Sequence, residues 1–336
     1  MDREELELET HFEVIRTMDD FVKNAVDTRL MNPDECWQPT DFLPDMTKEN
    51  ALDEVSELRE RAAGIPDSVI ASLVGNMITE EALPSYQTYF TLIFNEEKEV
   101  TTERGWDRWS RAWTAEENRH GDLLNKYLFL SGRCDMKKVE QTIHRLIYNG
   151  FDPNADKDPY QSIVYTSFQE RATKISHVNT GKLAAKSGDD ALSKICKQIA
   201  GDEARHEKAY KEFMTEIFEM DPNGAIDAFA KMMRKQISMP AMLMDDQSSS
   251  SSENLFVDFS AITQKIGVYT AWDYASIIDH LVKYWKIESL TGLQDGLGKA
   301  QDYLCGLAAR YRRIAERIKA PDEIKLHWLK PNQFSF

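Results

Sequence analysis

No apolar run in the 336-residue chain approaches the roughly 20 residues a helix needs to cross a bilayer, so no membrane-spanning helix is expected. The acidic start, Met1 to Glu13, lacks the basic and apolar regions of a secretory signal. Cysteine is scarce: Cys36, Cys134, Cys196 and Cys305 are far apart and form no CxxC pair, which leaves no zinc, iron-sulfur or disulfide framework. Positive charge is also in deficit, with 41 Lys plus Arg against 57 Asp plus Glu and a net charge of −16. Broad binding to nucleic acid or an anionic membrane needs clustered Lys and Arg and is therefore not expected. A polyanionic partner would need a local basic patch.

Only 15 Gly and 11 Pro punctuate the chain, and between them apolar positions recur at three- and four-residue spacing. That pattern predicts an all-α protein. One long helix is expected from Asp67 to about Phe94, kinked by Pro84 near Glu80 and Glu81. Others are expected over Trp106–Leu130, Tyr160–Ala185 and Asp190–Met220, the last closed by Asp221-Pro222. Helices of this length suit a four-helix bundle at about residues 67–220. Shorter helices are expected at Glu9–Asn32, Ala51–Ala63, Met136–Tyr148, Gly224–Gln236 and in three segments between Asn254 and Lys319. The low-complexity stretch at about 245–253 reads as a mobile surface loop inside a single domain of residues 1–336.

Two segments carry the chemistry. Glu116-Glu117-Asn118-Arg119-His120 and Asp202-Glu203-Ala204-Arg205-His206 both read acid, Glu, any residue, Arg, His, and each lies within a long helix. Residues i and i+3 are about 60° apart on a helix, so each segment presents a carboxylate and an imidazole on one face. A di-iron carboxylate bundle further requires one inward Glu from each of the other two helices. Glu80 or Glu81 and Glu170 sit in apolar surroundings and meet that requirement. Burying four such carboxylates without partners would cost several kcal/mol each, which a metal would offset. The thiolate-free oxygen and imidazole set suits iron or manganese. Glu116 and Asp202 are placed to orient the imidazoles of His206 and His120, or to pair with Arg119 and Arg205.

With these residues in view, the chain resembles the soluble acyl-acyl-carrier-protein desaturases of plant plastids, the stearoyl Δ9 type. The resemblance runs from about Cys36 to Tyr311. Its strongest blocks are Cys36-Trp37-Gln38-Pro39, Asp41-Phe42-Leu43-Pro44-Asp45, Met77–Gln87, Arg111–Ser131, Tyr165–Thr173, Asp202–Glu207 and Met232–Pro240. It implies a ferritin-like bundle elaborated by N- and C-terminal helices, and it selects Glu80 over Glu81. One iron is then held by Glu80, Glu117 and His120, the other by Glu170, Glu203 and His206, with Glu117 and Glu203 bridging. The implied reaction inserts a cis double bond into a saturated acyl chain on acyl carrier protein, using O₂ and electrons from reduced ferredoxin. The resemblance also implies a homodimer in the plastid stroma, with the transit peptide absent from this chain.

Further roles follow from the same resemblance. Thr173 matches a hydroxyl near the oxygen site, unless it bonds back to a helix carbonyl. Trp37, Asp202 and His120 match an electron route from the surface, although Trp37 also suits simple packing. Tyr89, Leu92, Ile93, Pro153 and Ser162 are expected to line the distal tunnel. Tyr89 to Phe94 is bulkier than the stearoyl type, Ser162 replaces its Gly and Val257 its Asp. Each lost methylene of space is worth roughly 1 kcal/mol, so the expected substrate is shorter than stearoyl. Charge points to a docking surface for acidic acyl carrier protein or ferredoxin: residues 1–60 hold 18 acids and 6 bases, residues 310–336 hold 7 bases and 3 acids. Lys231, Arg234, Lys235, Arg310, Arg312, Arg313 and Arg317 are its candidates. A ferritin-like ferroxidase and a di-iron acyl hydroxylase remain as alternatives.

Overall fold

The computed structural model describes residues 3–94, 103–246, 255–319 and 327–329. Among them there is no strand, only an isolated antiparallel bridge between Cys134 and Leu329. Thirteen α-helices are described. Four make the bundle: α4 (Asp67–Glu81), α6 (Gly105–Ser131), α8 (Pro159–Lys186) and α9 (Asp190–Met220). Around them lie α1 (Arg3–Thr17), α2 (Asp19–Arg29), α3 (Ala51–Ala63), α5 (Leu83–Phe94), α7 (Met136–Asn149), α10 (Pro222–Lys235), α11 (Leu255–Ile266), α12 (Ala271–Tyr284) and α13 (Leu297–Ala315). The Ser-rich stretch expected to be a loop lies, from residue 247 to 254, outside the described residues.

Local chemistry sets the helix ends. Asp158, Asp189 and Asp221 cap α8, α9 and α10 by accepting from the backbone N–H of Tyr160, Leu192 and Gly224, and Pro159 and Pro222 occupy first-turn positions where the missing N–H costs nothing. Gly132 closes α6 in the left-handed conformation at φ +68°.

Pro84 does more than kink its helix. The segment expected as one helix is two, because α4 stops at Glu81, Ala82 turns, and α5 restarts at Leu83. Proline has no N–H to give the Glu80 carbonyl four residues back, and beside this break the Tyr86 phenol donates to the Thr79 carbonyl at 2.8 Å. Glu80 thereby stands in the last turn of α4. The expected helix over Glu9–Asn32 is likewise two, α1 and α2, parted at Met18.

The bundle has two apolar clusters along its length. On α6, Trp106, Trp109 and Trp113 belong to one and Leu123, Leu124, Tyr127 and Leu128 to the other. On α9, Tyr210 and Phe213 belong to the first and Ile195, Cys196 and Ile199 to the second. Between them, on both helices, falls the acid-Glu-x-Arg-His segment.

Candidate metal centre

Glu80, Glu117, His120, Glu170, Glu203 and His206 meet in that middle layer, each at most 8% exposed and both imidazoles fully buried. They form two overlapping sets, Glu80, Glu117, His120 and Glu203, and Glu117, Glu170, Glu203 and His206, in each of which ligand-capable atoms lie within 4.8 Å of one another. Glu117 and Glu203 belong to both sets. His120 Nδ1 is 3.0 Å from Glu117 Oε2 and 3.2 Å from Glu203 Oε1. His206 Nδ1 is 2.6 Å from Glu117 Oε1 and 3.6 Å from Glu170 Oε2. Glu81, the alternative left open by spacing, turns away and accepts from Asn125 Nδ2 at 3.0 Å.

The outward nitrogens meet the acids of the motif. His120 Nε2 lies 3.2 Å from Asp202 Oδ2 and His206 Nε2 lies 3.1 Å from Glu116 Oε2. These acids also hold the arginines: Arg119 donates to Asp202 at 3.2 Å and Arg205 to Glu116 at 2.7 Å. Orientation of the imidazole and pairing with arginine are thus combined in one acid. The two terminal carboxylates have outer partners that spacing does not reveal. Glu170 Oε1 accepts from the Trp113 indole N–H at 3.1 Å, and Glu80 Oε1 is 2.9 Å from His177 Nε2, an imidazole with no exposed surface. One signal for Trp113 was present, its place four residues before Glu117 on the same helical face.

The electrostatics call for a cation. Burial pushes the Glu203 carboxyl well up, with the charge of Glu117 adding to it, and burial likewise raises Glu170. Glu117 goes the other way, because the charges of His120 and His206 outweigh its burial. Burial opposes protonation of both imidazoles, but Glu117 and the neighbouring acids hold them well above the ordinary histidine value. Glu117 Oε1, Glu170 Oε2, Glu203 Oε1 and His206 Nδ1 are buried and make no well-aligned hydrogen bond, although each lies against another group of the cluster, His206 Nδ1 and Glu117 Oε1 at 2.6 Å. Orphaned atoms of this kind are costly, and four of them within one ligand cluster fit a bound metal.

Two cavities reach this cluster. An outer one of about 310 Å³ is walled by Asn76, Phe259, Tyr269, Tyr274 and Tyr311, and an inner one of about 70 Å³ by Leu83, Tyr89, Phe90, Phe151 and Tyr165. Both include Thr79, Glu80 and Thr173 in their walls, so they meet beside Glu80. The Thr173 hydroxyl makes no hydrogen bond to any described residue, whereas Thr166 and Ser167 on the same helix bond back to Ser162 and Ile163 carbonyls. In the wall of the inner cavity the Tyr89 hydroxyl lies 2.7 Å from Ser162 Oγ.

Of the expected tunnel residues, Tyr89 is a wall with Ser162 directly behind it. Ile93 and Pro153 are buried outside the cavity walls. Leu92 is a correction: it is 71% exposed, because it lies about 100° around α5 from the inward Ile93. Trp37 donates from its indole to Asp202 at 3.0 Å, stacks at 7° on His120 with centroids 6.1 Å apart, and lies under the Arg119 guanidinium at 4.3 Å.

The docking cations divide. Lys231 pairs with Asp227 and Glu7, Lys235 with Asp156, and Arg312 with Asp279, so these three are committed within the chain. Arg234 lies over the Tyr303 ring at 5.1 Å. Arg310, Arg313 and Arg317 are exposed, with no acidic partner among the described residues.

Residues 10–335 match the family model described as fatty acid desaturase. Stearoyl-[acyl-carrier-protein] 9-desaturases named chloroplastic, from Brassica napus and Simmondsia chinensis, are 53% and 52% identical over 309 residues, covering 92% of this chain and 77% of each relative. An acyl-[acyl-carrier-protein] desaturase of Cucumis sativus, also named chloroplastic, is 52% identical over 308 residues, 91% of this chain and 77% of that one. The solved structure of DesA2 from Mycobacterium tuberculosis H37Rv is similar at a TM-score of 0.54 over 86% of this chain and 99% of that chain, a likeness of fold at 16% identity.

Proposed function

This chain belongs to the fatty acid desaturase family, and we propose that it inserts a cis double bond into a saturated acyl chain carried on acyl carrier protein. The observation that carries this reading is the pair of ligand sets sharing Glu117 and Glu203 beside a largely apolar path. Two iron ions are the proposed cofactor, with Glu80, Glu117 and His120 on one side and Glu170, Glu203 and His206 on the other. When bound they would supply the redox chemistry, in which one O₂, two electrons and two protons, together with the two hydrogens removed from the acyl chain, leave as two waters per double bond. Reduced ferredoxin is the proposed electron donor.

The chain's own residues then have distinct tasks. The apolar walls hold the acyl chain extended past Glu80 and exclude bulk water. Thr173, whose hydroxyl has no partner among the described residues, donates a proton on the cavity side of Glu170. Trp37, Asp202 and His120 form a contiguous contact chain towards the cluster, suited to electron entry. The inner cavity is much the smaller, and the Tyr89 and Ser162 pair closes it. This favours a chain with a short methyl portion beyond the cluster, in line with a substrate shorter than stearoyl.

We assign the activity to one unit of residues 1–336 built on the bundle at about 67–220, because one apolar cluster runs from Ile15 to Ala308. The proposed location is the plastid stroma and the proposed assembly a homodimer. Exposed Leu92, Phe129 and Tyr148 offer apolar surface for such an interface.

The test is product analysis by mass spectrometry after incubating iron-loaded protein with reduced ferredoxin, O₂ and carrier-bound chains of about 14, 16 and 18 carbons, lengths that differ by two methylenes each. A new double bond supports the reading and its position reports the depth of the inner cavity. A hydroxylated product would favour a hydroxylase, and iron oxidation without acyl product a ferroxidase.

A further inference from the structure

The outer cavity reaches solvent beside the end of α13, where the wall residues Ile314 and Ile318 are 42% and 44% exposed. Tyr311, one turn before, lines the same cavity. Arg310 and Arg313 on α13, and Arg317 in the turn that follows it, each stand one position before Tyr311, Ile314 and Ile318, so the exposed cations run alongside the apolar row. None of the three meets an acid among the described residues, unlike Arg312, Lys231 and Lys235. In a chain of net charge −16, three cations with no acidic partner among the described residues, beside the mouth of the substrate path, are a local reversal of the field.

We propose that these cations dock the acyl carrier protein. The inference rests on the desaturase reading and deepens it. A carrier-bound chain is joined through a thioester to a phosphopantetheine arm, so the methyl end enters first and the carrier stays at the mouth. Arg310, Arg313 and Arg317 pair with the carrier's acidic surface and with the phosphodiester of the arm, while Ile314 and Ile318 cover the apolar beginning of the path. The electron donor has no need of this mouth. Trp37 contributes to neither cavity wall, so the proposed electron route does not run through this mouth.

The experiment compares the full chain with the triple variant Arg310→Glu, Arg313→Glu, Arg317→Glu. Carrier binding is measured by calorimetry at low and high salt, KM for acyl carrier protein and kcat by product formation, and the ferredoxin concentration for half-maximal rate separately. The expected result is carrier affinity weaker by about tenfold or more, a flatter salt dependence, kcat at saturating carrier close to the parent's, and no change in ferredoxin demand. Restored binding to a carrier with acids changed to Lys would identify the contact as ionic. An unchanged carrier affinity overturns the proposal, as does a raised ferredoxin demand with carrier affinity intact. The triple Gln variant serves if reversal impairs folding, judged by melting temperature and iron content. Arginine-dependent carrier binding by a parent that forms no unsaturated product would leave the docking surface standing and remove the desaturase reading.

Discussion

At the scale of single residues, Glu80 shows how far spacing reaches. The duplicated acid-Glu-x-Arg-His frame makes Glu117, His120, Glu203 and His206 legible, because two ligands on one helical face leave a local signature. Glu80 has no such frame, and only the family resemblance separates it from Glu81. His177 has no signature either: its contact with Glu80 joins helices 97 residues apart. Replacing it with Leu removes that contact at nearly constant volume, and loss of an outer partner of a ligand typically costs about 10- to 100-fold in metal affinity. Iron retained after dialysis against a graded chelator should fall accordingly, and His177→Gln should recover part of it. Unchanged retention in His177→Leu would remove His177 from the site.

The Tyr89 and Ser162 pair is a second residue-scale case. Burial pushes the Tyr89 phenol up to about 12 although the bond to Ser162 opposes this, so the ring stays neutral and its hydroxyl can donate. Tyr89→Leu lengthens the inner cavity by removing the hydroxyl end of the ring. The expected outcome is a shift of about tenfold in the ratio of kcat/KM for longer over shorter acyl chains, in line with one or two methylenes of space. Competition assays with mixed carrier-bound chains would show it, and an unchanged ratio would place the end of the path elsewhere.

At the scale of elements, helix type and extent were legible wherever the apolar repeat was long and its ends were marked. The helix ending at Met220 before Asp221-Pro222 is such a case. Breaks inside a continuous repeat were not, since the stripe at Met18 or Pro84 continues on both sides and the rupture depends on which carbonyls find other donors. The close approach of α6 to α4 was also invisible, and a glycine makes it possible. A Cβ at Gly121 would lie 3.2 Å from Glu81 N and 3.3 Å from the Glu80 carbonyl carbon, so a side chain there presses on the turn that holds Glu80. Gly121→Val should destabilise by about 1–3 kcal/mol through overpacking. It should also reduce iron content, because α4 can relieve the contact only by moving Glu80. Chemical denaturation with metal analysis tests both, and a loss of stability with full iron content would show that the contact is relieved elsewhere.

At the scale of the whole molecule, the two apolar clusters meet across a layer of acids that the chain alone leaves under-neutralised. His120 and His206 are held well above the usual imidazole value by Glu117 and the neighbouring acids, and burial raises Glu203 and Glu170, so without metal the layer holds its protons more tightly than free side chains would. Metal binding requires neutral imidazoles and ionised carboxylates, and must therefore release protons. Affinity should accordingly rise with pH and fall towards acid, whereas a site that binds without displacing protons would show no such dependence. Addition of ferrous iron to metal-free protein in weak buffer should acidify the solution. Loading should also stabilise the fold, because the metal binds the assembled layer and not the unfolded chain. At a free concentration 100 times Kd this amounts to about 2.7 kcal/mol, read as a melting temperature that rises with iron and returns with chelator. The increment should shrink as pH falls, since protons and metal compete for the same atoms. A melting temperature that ignores iron at every pH would mean that the two apolar clusters alone hold the layer together.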